Sequence, residues 1–306
     1  LNVRIDRKRK FLATTFLRAL GLNSDSEILS TFYSPSRITV KGKRLLWKID
    51  DNLLGRRLLV DIPGVGKKKS VLLAAGRKLT RSTLARLKKA NIEEIEVGLE
   101  DLSGAFSLGD FIDEESGEIL LEANGEINGS VINTLVEAGL QEFEVFFPDR
   151  DDVGMILSNT LRKDSIKNTN DALIEIYRKQ RPGDLPNLET ATALFHGMFF
   201  DPHKYDFSKV GRLKFNIKLG LDTSLNEKTL TPQDFYQIIE YLLRLKQGLG
   251  SSDDIDHLGN RRVRSVGELL ENQFRIGLIR MERAIKEKMS VHQEMATAMP
   301  HDLINA

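Results

Sequence analysis

The chain has 306 residues, 41% hydrophobic and 29% charged, with a formal net charge of +1. That is more than one core usually organises, so two domains are expected, with room for an inserted third. No run approaches the roughly 18 apolar residues of a membrane helix, and the absence of cysteine excludes a disulfide scaffold, a thiolate zinc site and a cysteine nucleophile. The first twenty residues hold no continuous apolar segment and no small-residue cleavage site, so no signal peptide is visible and a cytoplasmic location is expected. With no initiator Met and no capped element at its end, the chain reads as a piece of a longer protein.

The near-zero charge is a cancellation of opposed blocks. Residues 1–90 carry 22 Lys or Arg against 6 Asp or Glu, residues 91–149 carry 16 acids and no Lys or Arg, and the remainder is balanced. The basic block suits a polyanion and the acidic block a basic partner, unless the two pair with each other. In chain order, the run Arg7, Lys8, Arg9, Lys10 leads into an apolar series (Phe11, Leu12, Thr15, Phe16, Ala19, Leu20) of helical period that stops at Gly21, which predicts a basic-capped helix. Short β-rich runs follow: Ile38, Val40, Leu45, Trp47, Ile49, then 58–60. Residues 76–97 and 124–145 resemble each other at an offset of 48, with Leu87, Ala90, Glu94, Glu96 and Val97 matching Leu135, Ala138, Glu142, Glu144 and Val145. Each reads as a turn, a helix with its polar start near Thr80 or Asn128, and a strand. Two copies are too few for a solenoid and predict one compact subdomain over 33–153.

Beyond 153 the pattern turns helical: MILSNTL, then NDALIEIYRKQ stopped by Arg181-Pro182-Gly183, then NLETATALFHGMFF stopped by Asp201-Pro202. Thr231-Pro232 opens a helix that ends at Gly248. Ser265 and Glu268 form a capping-box pattern ahead of Leu270, Phe274, Leu278, Met281 and Ile285. Packing explains so regular a stripe, with the arginines on its polar side as secondary candidates.

Several chemistries fail on spacing. GVGKKKS at 64–70 lacks the four residues a phosphate loop needs between its glycines, and the Asp254–Asp256 stretch lacks a calcium loop's terminal carboxylate. The histidines at 196, 203, 257, 292 and 301 have no zinc-hydrolase spacing, and His292-Gln-Glu-Met lacks a second ligand. There is no GxSxG or GxGxxG. What remains is DDIDHLGNRRVRS at 253–265. Arginine offers paired donors to phosphate or guanine, and aspartate accepts from a base edge, so the stretch can read a base. The competing reading is a self-satisfied turn in which Asp254 or Asp256 caps the backbone and pairs with Arg261.

VRIDRKRKFLATTFLRALG (3–21), ALIEIYRKQRPGDLP (172–186), FFDPHKYDFSKVGRLKFN (199–216), the stretch 253–290 and the final MPHDLINA resemble the beta subunit of bacterial DNA-directed RNA polymerase, in order and over nearly the whole chain. The resemblance implies an α+β fold. A mixed helical lobe domain (1–258) carries an inserted αβ subdomain (33–153), and 259–306 is the returning segment of the adjacent protrusion domain, with its long helices. It implies a share in DNA-templated transcription as a wall of the DNA cleft, in contact with the non-template strand and the downstream duplex. Further expected partners are the other polymerase subunits and sigma factor, in the nucleoid. No catalytic residue and no cofactor falls in this segment, since the magnesium-binding aspartates belong to another subunit. By motif, Asp256 with Arg261 would belong to a pocket for an unstacked non-template guanine. Asp6 and Arg7, Arg181, Lys204, and Arg280 with Arg283 would line the strand's path. Lys204 stands where some relatives carry arginine, which implies a weaker, point-charge contact. Because part of that pocket comes from residues outside this chain, the fragment alone is expected to bind poorly. The alternative is a protein-interaction module whose acidic insertion docks a transcription regulator. An independent hydrolase has no motif behind it.

Overall fold

The computed structural model describes residues 1–6, 9–42, 44–63, 71–113, 116–204, 207–291 and 299–304. Its helices and small antiparallel sheets make the fold α+β. Two compact units appear, Leu1–Gly250 and Ser251–Ala306, a division ahead of the expected 258/259 boundary.

The first unit opens with a hairpin, β1 (Asn2–Asp6) against β2 (Arg9–Leu12), in which Val3 faces Phe11 and Asp6 faces Arg9. The helix expected from Phe11 therefore begins later, as α1 (Ala13–Ala19). Val3 and Ile5 alternate with charged residues and present a partner strand, and a four-residue stretch is too short for its periodicity to resist that pairing. Every residue of α1 is buried. Its polar side chains find partners from near and far in the chain: Thr14 and Thr15 donate to Asp164 at 2.5 and 3.0 Å, and Arg18 donates to the Asn23 and Lys167 carbonyls and pairs with Asp25. A helix the periodicity reading missed follows, α2 (Asp25–Phe32). A capping box starts it, Ser24 Oγ accepting from Glu27 N at 3.1 Å while the Glu27 carboxylate accepts from Ser24 N.

A separate hydrophobic core lies within residues 38–147. Its elements are β3 (Ser36–Lys41), β4 (Arg44–Lys48), β5 (Ile62–Pro63), β6 (Val71–Leu73), α3 (Arg81–Lys89), β7 (Glu94–Val97), β8 (Phe106–Ser107), β9 (Phe111–Ile112), β10 (Ile119–Leu121), α4 (Gly129–Glu137) and β11 (Glu142–Phe146). Residues 58–60, expected as a strand, are irregular: the Leu58 carbonyl is taken by Gly76 N and the chain bends so that Asp61 can accept from Ala75 N. The sheet order is β7-β4-β3-β11-β8, antiparallel throughout. A central β3–β4 hairpin is thus flanked by the final strand of each repeat.

The repeat is structural in detail. Each copy is a small hairpin (β5/β6 or β9/β10), a helix and a strand. Thr80 and Asn128 cap the helices, accepting from Thr83 N at 3.3 Å and Val131 N at 3.0 Å. Asp61 and Asp110 each accept from a hairpin backbone N–H, at 2.6 and 2.7 Å. Two left-handed positions recur: Gly76 (φ 74) corresponds to Asn124 (φ 65), and Asn91 (φ 54) to Gly139 (φ 76). Glycine and asparagine are the residues that best tolerate that conformation, so the same turn survives either exchange. Trp47 stacks on Phe147 at 5.0 Å, and the buried Arg56 guanidinium lies 4.6 Å from one ring and 3.8 Å from the other. Burial lowers the Arg56 pKa to about 10. On the exposed sheet face Arg37 pairs with Glu142 and Glu144, Lys41 with Glu94, and Arg44 with Glu96, so part of the opposed charge is consumed internally.

Around α1 in the helical core gather α5 (Ile156–Leu161), α6 (Thr169–Gln180) and α7 (Leu188–Phe199), while α8 (Lys209–Leu219) is tied by Arg212 to Asp234 of α9 (Pro232–Lys246), the helix that closes this core. Asn168, Asn187, Ser208 and Thr231 cap the last four. Phe16 packs edge-on against Phe199 and Phe235 at 5.6 and 5.2 Å. The inserted sheet reaches the helical core through Phe146, stacked at 4.5 Å on Tyr33, whose hydroxyl donates to the Gly154 carbonyl and accepts from Ser158 N, and through Asn124, paired side chain to side chain with Ser158. Burial pushes the Tyr33 phenol well above its usual range.

The second unit holds α10 (Val266–Val291) and α11 (Pro300–Leu303). Ser265 Oγ accepts from Glu268 N at 3.5 Å, while the Glu268 carboxylate accepts from Arg262 at 2.8 Å. Leu270, Phe274 and Leu278, expected as a packing stripe, are exposed.

Candidate nucleic-acid interface

The expected site residues divide between the two units. Asp6, Arg181 and Lys204 belong to the first, and Asp256, Arg261, Arg280 and Arg283 to the second. Arg7, the 64–70 stretch and His292 with its neighbours lie outside the described residues.

In the first unit the hairpin is fastened to the end of α6. Arg9 Nη1 donates to the Lys179 and Gln180 carbonyls at 2.5 and 2.9 Å, satisfying acceptors that a helix C-terminus leaves open and adding positive charge at its negative end. Asp6 stands opposite Arg9 in the hairpin, and the exposed Arg181 begins the turn that stops α6. Arg9 is a structural tie between hairpin and helix, which in the sequence reads only as one cation of a run. Its signal was the strand period, which sets Arg9 and Phe11 on the inward face and Lys10 outward.

Lys204 lies beyond the other end of α7, whose twelve residues span about 18 Å at 1.5 Å per residue. Its ammonium stands 3.8 Å from Asp201, whose side chain also accepts from His203 N at 2.9 Å. A Cβ at Gly197 would come within 2.7 Å of the Lys204 Nζ. A shallow groove of about 840 Å³ runs along the exposed side of α7 from Asn187 past Thr192 and His196 to Lys204.

In the second unit a tight turn surrounds Asp256. Asp254 accepts from Asp256 N at 3.0 Å, the Asn260 side chain donates to the Asp254 carbonyl at 2.9 Å, and His257 Nδ1 accepts from Gly259 N at 3.0 Å. The backbone-capping half of the self-satisfied reading is therefore met by Asp254. The ion-pairing half is not, because the nearby arginine bound to a carboxylate is Arg262, on Glu268. Among the described residues, the Asp256 carboxylate and the Arg261 guanidinium have no side-chain partner, and both are exposed. Arg280 and Arg283, one turn apart and exposed on α10, likewise make no ion pair among the described residues, whereas their neighbours Arg275 and Lys286 pair with Glu271 and Glu282. Among the described residues no group of three His, Asp or Glu side chains is placed to hold a metal, and no helix is long and apolar enough to cross a membrane.

A family model described as RNA polymerase Rpb2, domain 2, matches residues 129–264. The chain is 60% identical over 315 residues to the DNA-directed RNA polymerase subunit beta of Koribacter versatilis, 57% over 309 to that of Solibacter usitatus, and 47% over 314 to that of Sorangium cellulosum. Each match covers 100% of this chain, which spans 21, 21 and 22% of those relatives, about a fifth of their length.

Proposed function

The chain belongs, as a segment, to the beta-subunit family of bacterial DNA-directed RNA polymerase, and on that premise we propose that in the assembled enzyme it forms part of the wall of the DNA cleft. It serves a nucleotidyltransferase without supplying the catalytic groups, which are assigned to segments and subunits outside this chain, the magnesium ligands included. Its partners are DNA, the other polymerase subunits and sigma factor. Asp6, Arg181, Lys204, Arg280 and Arg283 line the path of the non-template strand and the downstream duplex. Asp256 accepts from the edge of an unstacked guanine, and Arg261 supplies donors beside it.

The observation that carries this reading is the 254–260 turn. Asp254, His257 and Asn260 spend their hydrogen bonds on holding the backbone, which leaves Asp256 and Arg261 presented and unspent. In a reconstituted polymerase, Asp256→Ala is expected to reduce the preference for a non-template guanine over thymine by about 1–3 kcal/mol, the size of one good base-edge contact. An unchanged ratio of affinities for the two bubbles would sink the assignment.

A second reading is favoured by a cleft of about 1020 Å³ beside β11, lined by Phe111 and Phe143, by Asp110, and by Glu142 and Glu144 with the Arg37 that pairs with both. In it the inserted subdomain docks a regulator through its acidic side. Deleting 33–153 in the same reconstitution separates the two: failure to bind the regulator with intact bubble binding assigns the insertion to regulation.

A further inference from the structure

The two copies of the repeat share one backbone and carry opposite charge. In the first, Arg77, Lys78, Arg81, Arg86, Lys88 and Lys89 are all exposed, on α3 and the turn before it. At the equivalent positions of the second stand Gly125, Glu126, Gly129, Thr134, Val136 and Glu137. Both helices cap, pack and hand on to a strand in the same way, burying Leu84 and Leu87 in one case and Ile132 and Leu135 in the other. The second copy is thus an internal control: this fold has no need of the six cations.

Nor are they used among the described residues. The carboxylates of this sheet are spent on Arg37, Lys41 and Arg44 of the central hairpin. Among the described residues none of the six makes an ion pair or a side-chain hydrogen bond. Six like charges held close on a rigid helix and turn repel one another, and a polyanion relieves that repulsion. Between residues 73 and 97 there is no aromatic side chain, so the surface has nothing on which to stack unpaired bases. It can take phosphates, in a sequence-independent manner. Arg81 to Lys89 spans about 12 Å of helix axis, which faces roughly three or four phosphates of one strand of a duplex.

We propose that the α3 side of the inserted subdomain is a duplex-DNA contact, in which these cations engage the phosphate backbone outside the bubble, while the acidic second copy repels DNA and fixes which side turns towards it. The reading is independent of the guanine pocket.

The test uses polymerase reconstituted with a full-length beta subunit carrying Arg77→Gln, Arg81→Gln, Arg86→Gln and Lys89→Gln, and a control with Asn133→Gln and Thr134→Gln on α4. All six positions are exposed, and assembly is checked by size. The logarithm of the binding constant for a promoter duplex is plotted against the logarithm of salt concentration. The slope is expected to flatten by about 0.9 for each phosphate no longer neutralised, up to about 3.6 for four, with the control unchanged and the guanine preference intact. A photo-crosslinker at Ala85, the exposed alanine amid the cations, is expected to label DNA in otherwise native enzyme. An unchanged slope overturns the proposal, and so does an Ala85 adduct to a polypeptide in place of DNA. Loss of guanine preference in Asp256→Ala, or its retention, bears on the pocket alone.

Discussion

Arg212 on α8 and Asp234 on α9 are a fully buried ion pair, each side chain 0% exposed. One guanidinium nitrogen reaches both carboxylate oxygens at 2.9 Å, and the other donates to the Thr229 carbonyl at 2.5 Å. Asp234 also caps α9 by accepting from Thr231 N at 2.8 Å. Truncating it with Asp234→Ala strands a fully buried guanidinium without its counter-charge, which costs about 3–5 kcal/mol. Asp234→Asn keeps the volume and an oxygen for Thr231 N but removes the counter-charge, so most of that loss should persist. Among the described residues Arg212 Nε has no partner, so there the pair's desolvation is incompletely offset. The double replacement Arg212→Met with Asp234→Leu removes both charges and should therefore recover to within about 2 kcal/mol of the native value. Urea unfolding followed by far-ultraviolet circular dichroism of the native chain, Arg212→Met alone, Asp234→Leu alone and the double variant gives all four corners of the cycle. A single-variant loss below about 1 kcal/mol, or a double variant as unstable as the sum of the singles, would refute the claim that isolation of charge dominates here.

Two further predictions concern the inserted subdomain. Arg56→Ala removes a cation that lies against both rings of the Trp47–Phe147 stack and leaves the Asp101 carbonyl, now bonded at 2.7 Å, without its donor; a loss of about 2–4 kcal/mol is expected. Trp47 is the one tryptophan of the sequence, so its emission should shift to the red and its unfolding midpoint fall, and an unaltered midpoint would contradict the stacking argument. The hydrogen bond from Lys41 holds the Glu94 carboxyl below its usual range. A carboxylate depressed in the folded state stabilises above the ordinary glutamate range and loses that contribution as pH falls through its folded value. Acid titration of the subdomain's stability should show this loss, and Glu94→Gln should flatten the curve between pH 5 and 3; equal curves would remove Glu94 from the account.

What could be read along the chain was whatever depends on near neighbours. Thr80, Asn128 and Thr231 cap where their side chains reach a backbone N–H three residues ahead, Arg181-Pro182-Gly183 stops α6, and the 48-residue offset marks a duplication because equal local patterns build equal local structure. The turns bearing Arg181, Lys204 and Asp256 were legible for the same reason. The β1–β2 hairpin was not, since four residues of apolar spacing serve a helix or a strand and Val3 opposite Phe11 settles it. Nor was the place of the cations. Arg9, Arg18, Arg56 and Arg212 look in sequence like the others, yet one ties a hairpin to a helix end and three are buried with partners up to 149 residues away. Whether an arginine is structure or is left free for a ligand depends on which carboxylates, carbonyls and rings the fold brings within about 3–4 Å, and that distance is set by packing between segments remote in the chain.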